Sequence, residues 1–262
     1  MADPNTIIVV PCYNEAQRLS VDSFREFATA NAGVRFLFVN DGSTDDTSIV
    51  LESLASSEPH RFEHLDQGQN RGKAETVRVG MLHALQQGPR YAGYWDADLA
   101  TPLREITRFI ATLEAHPQRD VCFGSRVRLL GRAIERNPLR HYLGRMFATV
   151  ASVVLDLPVY DTQCGAKLFR ATHATEELFE DRFCVNWTFD VELIARVQAL
   201  RLRAGLTSAA DSIYELPLDE WHDVAGSKVQ ASDFFKGLFE ILRIHAKYGR
   251  GGRKAARAGT RS

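Results

Sequence analysis

The chain has 262 residues, 45% of them apolar and 25% charged, with 32 basic and 33 acidic side chains. That length suits one sizeable α/β domain, and the balanced charge offers no electrostatic footprint for nucleic acid. Four scattered cysteines (Cys12, Cys122, Cys164, Cys184) include no Cys-X-X-Cys pair, which argues against a structural zinc site and fits a reducing, cytoplasmic setting.

In chain order, strand-like and helix-like segments alternate. Thr6–Val10 is a continuous β-branched run, as expected for a strand buried on both faces. Ala16–Ala30 has helical periodicity through Leu19, Phe24, Phe27 and Ala28. Val34–Val39 is a second apolar strand. Asp41-Gly42-Ser43-Thr44 then turns the chain into a helix capped by Ser43 or Thr44, with Val50, Leu51 and Leu54 inside. Arg61–Leu65 reads as a weaker strand and Gly72–Gln87 as a helix. Tyr91–Trp95 is a short apolar strand that runs into Asp96-Ala97-Asp98, followed by a helix with Pro102 in its first turn. Asp120–Phe123 is a further strand. This alternation predicts an α/β, Rossmann-like, mostly parallel sheet flanked by helices, in a single domain.

The second half is less regular. It holds a helix over Leu139–Leu155, a strand or loop at Cys164–Phe169, an amphipathic helix over Phe189–Leu200, a strand at Ser212–Leu216 and a helix over Ser232–Tyr248. The longest apolar run, Met146–Leu155, is far shorter than the roughly 20 residues a spanning helix needs. The opening residues lack the basic and apolar regions of a secretory signal. Residues 249–262 form a basic tail rich in glycine, with Arg250, Arg253, Lys254, Arg257 and Arg261 and no acid. Such a segment is expected to be disordered, with attraction to anionic lipid headgroups as its functional alternative.

Three polar clusters close three strands: Pro11-Cys12-Tyr13-Asn14-Glu15, Asn40-Asp41-Gly42-Ser43 and Asp96-Ala97-Asp98. In a parallel sheet these ends converge on one edge, where ligands bind. An Asp-X-Asp there suits a hard divalent cation that keeps substrate phosphates in its shell. Taken alone, each cluster is ordinary turn chemistry; three in this order are not.

The ordered set resembles glycosyltransferase family 2 with its GT-A fold. Asp161-Thr162-Gln163-Cys164-Gly165-Ala166-Lys167-Leu168-Phe169, Trp187-Thr188-Phe189-Asp190-Val191-Glu192-Leu193 and Trp221-His222-Asp223-Val224-Ala225-Gly226-Ser227-Lys228 resemble its polyprenyl-phosphate branch, closest in pattern to dolichyl-phosphate β-glucosyltransferases. The likeness runs from about Thr6 to Lys228, with a nucleotide-sugar half (1–124) and an acceptor half (125–248). It implies an inverting, metal-dependent transfer of a hexose, glucose from UDP-glucose by family pattern, to polyprenyl or dolichyl phosphate. By the same resemblance Pro11, Asn14, Glu15 and Asp41 would hold the base and ribose, and Lys73 would lie near the base or diphosphate. Asp98 would ligate Mg²⁺ or Mn²⁺, with Asp96 reaching the ribose or the metal. Trp187 and Trp221 are either core aromatics or part of the acceptor half.

Acceptor chemistry divides the remaining candidates. A sugar hydroxyl needs a carboxylate base, whereas a phosphate monoester is already mostly dianionic at neutral pH and needs cations that hold two anions together. Arg126, Lys167 and Lys228 are the cations available; Arg126 and Lys228 are assigned to the acceptor phosphate and Asp190 to orienting it or assisting as base. Asp161 and Gln163 are assigned to ordering the sugar or its loop. The competing expectation is a soluble family 2 enzyme with a saccharide or other hydroxyl acceptor. A lipid acceptor also calls for peripheral membrane contact, for which Met146–Leu155 and Ser232–Tyr248, with Phe234, Phe235, Leu238, Phe239 and Leu242, are the candidates.

Overall fold

The computed structural model describes residues 5–135, 138–222 and 231–249, the side chains of 135, 138–143 and 231–235 excepted. The elements of the first half are β1 (Thr6–Cys12), α1 (Val21–Ala30), β2 (Val34–Asn40), α2 (Thr47–Ser57), β3 (Phe62–Asp66), α3 (Lys73–Gln86), β4 (Tyr91–Trp95), α4 (Glu105–Ala115) and β5 (Val121–Ser125). There follow β6 (Ala133–Glu135), α5 (Pro138–Leu155), β7 (Ala166–Arg170), α6 (His173–Glu180), α7 (Phe189–Arg203), β8 (Ile213–Pro217), β9 (Glu220–His222) and α8 (Ala231–Tyr248).

Seven strands form one sheet in the order β3-β2-β1-β4-β7-β5-β8. All pairings are parallel except those of β7, which is antiparallel to both β4 and β5. The chain runs outward from β1 through β2 to β3, then returns to lay β4 on the other side of β1. That reversal opens a crevice beyond the strand ends, between β1 and β4. Pro11, which can donate no ladder bond, sits where the β1–β4 register has already ended at Val9↔Tyr94.

Apolar side chains of β1 alternate between two cores. Ile7 and Val9 join the layer under α3, α7 and α8, while Ile8, Val10 and Cys12 join the layer with Phe24, Leu51 and Phe109. Both faces are covered, which accounts for the uninterrupted apolar strands.

Several boundaries differ from the sequence reading, each for a local reason. The first helix starts at Val21, not Ala16, because Arg18 and Leu19 turn back onto the Glu15 carbonyl. The second starts at Thr47 and is not capped by Ser43 or Thr44; the Ser43 hydroxyl and the Thr44 amide are used to join neighbouring loops. Pro102 precedes α4 by a turn and is not inside it. Residues 189–197 are buried without interruption, so α7 is a core helix rather than an amphipathic one. The two-stranded parallel sheet of β6 and β9 is too short to leave a sequence signal.

Candidate active site

The three strand-end clusters meet in a cleft of about 320 Å³. Pro11, Tyr13 and Glu15 enter from the end of β1, Asp41 from β2, Asn70, Gly72 and Lys73 from the loop before α3 and its start, and Asp96 to Asp98 from the end of β4. The predicted residues Pro11, Glu15, Asp41, Lys73, Asp96 and Asp98 are thus brought together. Asn14 does not line the cleft. It takes a left-handed backbone (φ 54°), and its side-chain oxygen accepts the Thr44 amide at 2.8 Å while its own amide donates to Ser43 Oγ at 3.0 Å. Asn14 therefore clasps the β1 loop to the β2 loop and shapes the cleft from behind.

Asp41 is buried, and each of its oxygens accepts a backbone amide, Arg71 at 2.7 Å and Gly72 at 2.9 Å. Those bonds fix the loop that launches α3 and aim Lys73 into the cleft. Gly42, beside it, has φ 64°, and a Cβ there would lie 2.3 Å from the Gln69 carbonyl carbon. The Asp-Gly dipeptide is thus demanded twice over, by backbone sign and by loop contact.

Negative charge dominates the cleft. Lys73 Nζ lies 2.5 Å from Asp96 Oδ1, and Arg18 bonds Glu15 Oε1 at 2.6 Å from outside. Burial raises the pKa of Asp98, and the Asp96 charge raises it further. Glu15 is raised first by burial, against the pull of Arg18, with repulsion from Asp98 and Asp45 adding to it. Desolvation alone would lower the Lys73 pKa, but Asp96, with Asp190 and Asp98, more than reverses that. Glu15 Oε2 is buried with no hydrogen-bond partner among the described residues.

These oxygens fit a hard divalent cation. Among the described residues no group of three or more ligating side chains could hold an ion unaided. An ion there would take Asp98 and Asp96 and complete its shell with water or phosphate oxygen, as Mg²⁺ and similar ions commonly do.

Asp96 itself is held by β7's approach. Its amide donates to the Gly165 carbonyl at 3.1 Å, and a Cβ on Gly165 would lie 1.9 Å from Asp96 Oδ2. Gly165 lies in the Asp161–Phe169 segment, but a contact with Asp96 across 69 positions leaves no mark on spacing.

Asp161 and Gln163 are not in this cleft; they line a separate recess with Arg126, Arg145 and Tyr160. Arg126 grips Asp161 through Nε at 2.6 Å and Nη2 at 2.8 Å, and its guanidinium lies 5.3 Å from the Trp221 ring centre. The Asp161 turn is in turn held by Glu215, which accepts the amides of Tyr160 at 2.9 Å and Asp161 at 2.6 Å. Sequence reasoning passed over Glu215; its only signal was an acid inside an apolar strand. Arg145 stacks 3.7 Å above Tyr160. Lys228 and the rest of residues 223–228 lie outside the described residues, as do residues 250–262.

Asp190 stands in the first turn of α7 and is buried. Its Oδ1 accepts Lys167 Nζ at 2.5 Å and the Tyr94 hydroxyl. Lys167 is completely buried, also bonds the Cys164 carbonyl at 2.7 Å, and sits over the rings of Phe123 and Tyr94. The register explains the grouping: Lys167 pairs directly with Tyr94 on one side and Phe123 on the other. Lys167 is therefore not free for an acceptor anion. Lys167→Met should leave Asp190 as an uncompensated buried charge and lower stability by about 3–5 kcal/mol, read by urea unfolding. Loss of less than about 1 kcal/mol would show the pair to be solvated.

Residues 7–177 match the profile of "Glycosyl transferase family 2". The chain is 33% identical to dolichyl-phosphate beta-glucosyltransferase of Drosophila melanogaster, over 85% of this chain and 68% of that one. It is 30% identical to the enzyme of the same name from Saccharomyces cerevisiae, over 92% and 74%. Among solved structures it is similar to glucosyl-3-phosphoglycerate synthase from Mycobacterium tuberculosis in complex with Mn²⁺, UDP and glucosyl-3-phosphoglycerate (TM-score 0.63, 15% identity, 94% of this chain and 80% of that one). It is also similar to the mannosyltransferase PcManGT from Pyrobaculum calidifontis with GDP-Man and Mn²⁺ (TM-score 0.59, 16% identity, 97% and 64%). At these identities the structural likeness is one of fold.

Proposed function

The chain belongs to glycosyl transferase family 2, and from that premise we propose that it moves a hexose from a nucleoside diphosphate sugar to the phosphate of a polyprenyl lipid, with inversion. Glucose from UDP-glucose is the donor reading, supported by the names of the relatives. The observation that carries the acceptor side is the state of Asp190. One of its oxygens is committed to an ammonium and a phenol in a buried site. A carboxylate so held orients its neighbours; it is poorly placed to serve as the base that a sugar hydroxyl needs. A phosphate acceptor needs no such base, since it arrives as an anion.

In this reading the acceptor phosphate oxygen attacks the anomeric carbon from the face opposite the diphosphate. The new C–O bond forms as the bond to the nucleoside diphosphate breaks, and the charge passes to the departing diphosphate. A divalent cation held by Asp98 with Asp96 would neutralise that charge as a Lewis acid. Lys73 adds a second positive charge on the donor side. Arg126, held by Asp161, is the cation this reading assigns to the acceptor phosphate. Its own burial opposes charge, but Asp161 keeps the pKa raised, so it stays cationic.

No helix among the described residues is long and apolar enough to cross a membrane. Contact with a lipid surface is assigned to α8, where Phe239 (72% exposed) and Leu242 (63%) lie among exposed Lys236, Arg243 and Lys247, with Met146 and Val153 of α5 as further exposed apolar side chains.

The test is transfer of radiolabelled hexose from UDP-hexose to polyprenyl phosphate, followed by extraction into organic solvent. Arg126→Ala should raise the acceptor KM about 10- to 100-fold, the worth of a charge-assisted hydrogen bond, and leave UDP binding nearly unchanged. Label that reaches only water-soluble hydroxyl acceptors would sink the lipid-phosphate reading.

A further inference from the structure

Lys73 has a second property that its position near a diphosphate does not explain. It is the one basic side chain among the described residues lining the cleft, facing the carboxylates of Glu15, Asp41, Asp96 and Asp98. Asp41 is already satisfied by two backbone amides, and Arg18 serves Glu15. Lys73 is left to balance Asp96, 2.5 Å away. Behind Asp96 stands the Gly165 backbone, so close that even a methyl group there would overlap Oδ2. The carboxylate cannot retreat, and its Oδ1, itself buried, has the Lys73 ammonium 2.5 Å away. An ammonium and a metal ion sharing that oxygen would repel each other strongly at such distances.

We propose that Lys73 is the resident counter-ion of the Asp96–Asp98 site, displaced from Asp96 when a divalent cation enters, and that the freed ammonium then takes an oxygen of the donor diphosphate. Asp41 holds the amides of Arg71 and Gly72, so the Lys73 backbone stays in place while the side chain swings. A cation binding alone must drive Lys73 off Asp96 with no new partner for it. A cation binding with a nucleoside diphosphate supplies that partner. Lys73 thereby couples the two binding events, each strengthening the other. The inference rests on the donor side of the functional reading and is independent of the acceptor.

The test is Mn²⁺ binding to nucleotide-free protein, followed by electron paramagnetic resonance, in wild type, Lys73→Met and Lys73→Arg. Lys73→Met should bind Mn²⁺ roughly tenfold or more tighter than wild type, because the competing charge is gone. Lys73→Arg keeps the charge and should stay near wild type. The factor by which Mn²⁺ tightens UDP binding should shrink in Lys73→Met. Unchanged or weaker Mn²⁺ binding in Lys73→Met, or equal tightening in Lys73→Arg, would overturn the inference. If wild type still transfers hexose to lipid phosphate in that case, the functional reading survives its loss. Wild type that binds no Mn²⁺ even with UDP present would overturn the inference and the metal assignment together.

Discussion

Asp98→Asn is expected to lower turnover of the nucleotide sugar by about 10²–10³-fold and, measured without metal, to make the protein more stable. The two effects have one cause. Burial and the neighbouring Asp96 charge hold the Asp98 pKa above its ordinary value in the folded state. A carboxyl with a raised folded pKa binds its proton more tightly folded than unfolded, so its ionised form works against folding at neutral pH. That penalty is present above the folded pKa, fades as pH falls through it, and is absent below the unfolded value near 3.8. Asparagine never carries the charge. The variant should therefore melt higher than wild type at pH 7 in EDTA, by about 2–4 °C for each kcal/mol released, and the gap should close as the pH is lowered toward 4. Glu15 adds to the effect, since Asp98 is one of the charges that raises it. A variant that is inactive and also less stable at pH 7 would mean that Asp98 is a structural acid rather than a charge kept for a ligand.

Gly165→Ala is the second large effect. The added methyl would fall 1.9 Å from Asp96 Oδ2 and 2.3 Å from its Cγ. Either the Asp96 carboxylate turns out of place or β7 shifts away from β4. Overpacking of this kind costs about 1–3 kcal/mol, which a fold of this size survives. Displacement of a catalytic group by about 1 Å costs on the order of 10²-fold in rate. The expected result is a folded protein, cooperative in thermal unfolding, with turnover down about 10²-fold and Mn²⁺ binding weakened in parallel. Near-normal activity would show that Asp96 tolerates movement and that Asp98 alone serves the cleft.

The strand-end cleft was legible because local patterns and sheet topology act together. Apolar runs ending in polar clusters locate strand ends, and the parallel sheet gathers those ends without further information. Pro11, Glu15, Asp41, Lys73, Asp96 and Asp98 were reachable in this way. What stayed hidden depends on contacts between distant segments. Asp190 and Lys167 were both singled out, yet nothing in their spacing says that each neutralises the other. Gly165 against Asp96 and Glu215 beneath the Asp161 turn are of the same kind. Asn14 lies apart from the residues lining the cleft: its residue type suits a ligand contact, and the same amide group suits a left-handed clasp that only the backbone reveals. Ser43 and Thr44 show that a good capping residue is spent elsewhere when a nearby loop competes for its hydrogen bonds.

The antiparallel insertion of β7 bears on the order in which the molecule takes shape. The strand that covers the edge of β4, beside Asp96, is made more than 70 positions after it. Until residues 166–170 arrive, β4 has an unpaired edge beside its two carboxylates, an invitation to mispairing in the nascent chain. Closing so long a loop carries an entropic penalty before any contact repays it, so this step belongs late in folding. The residues that line the cleft all belong to the first 124, but the backbone that holds Asp96 in place, at Gly165, is made only later.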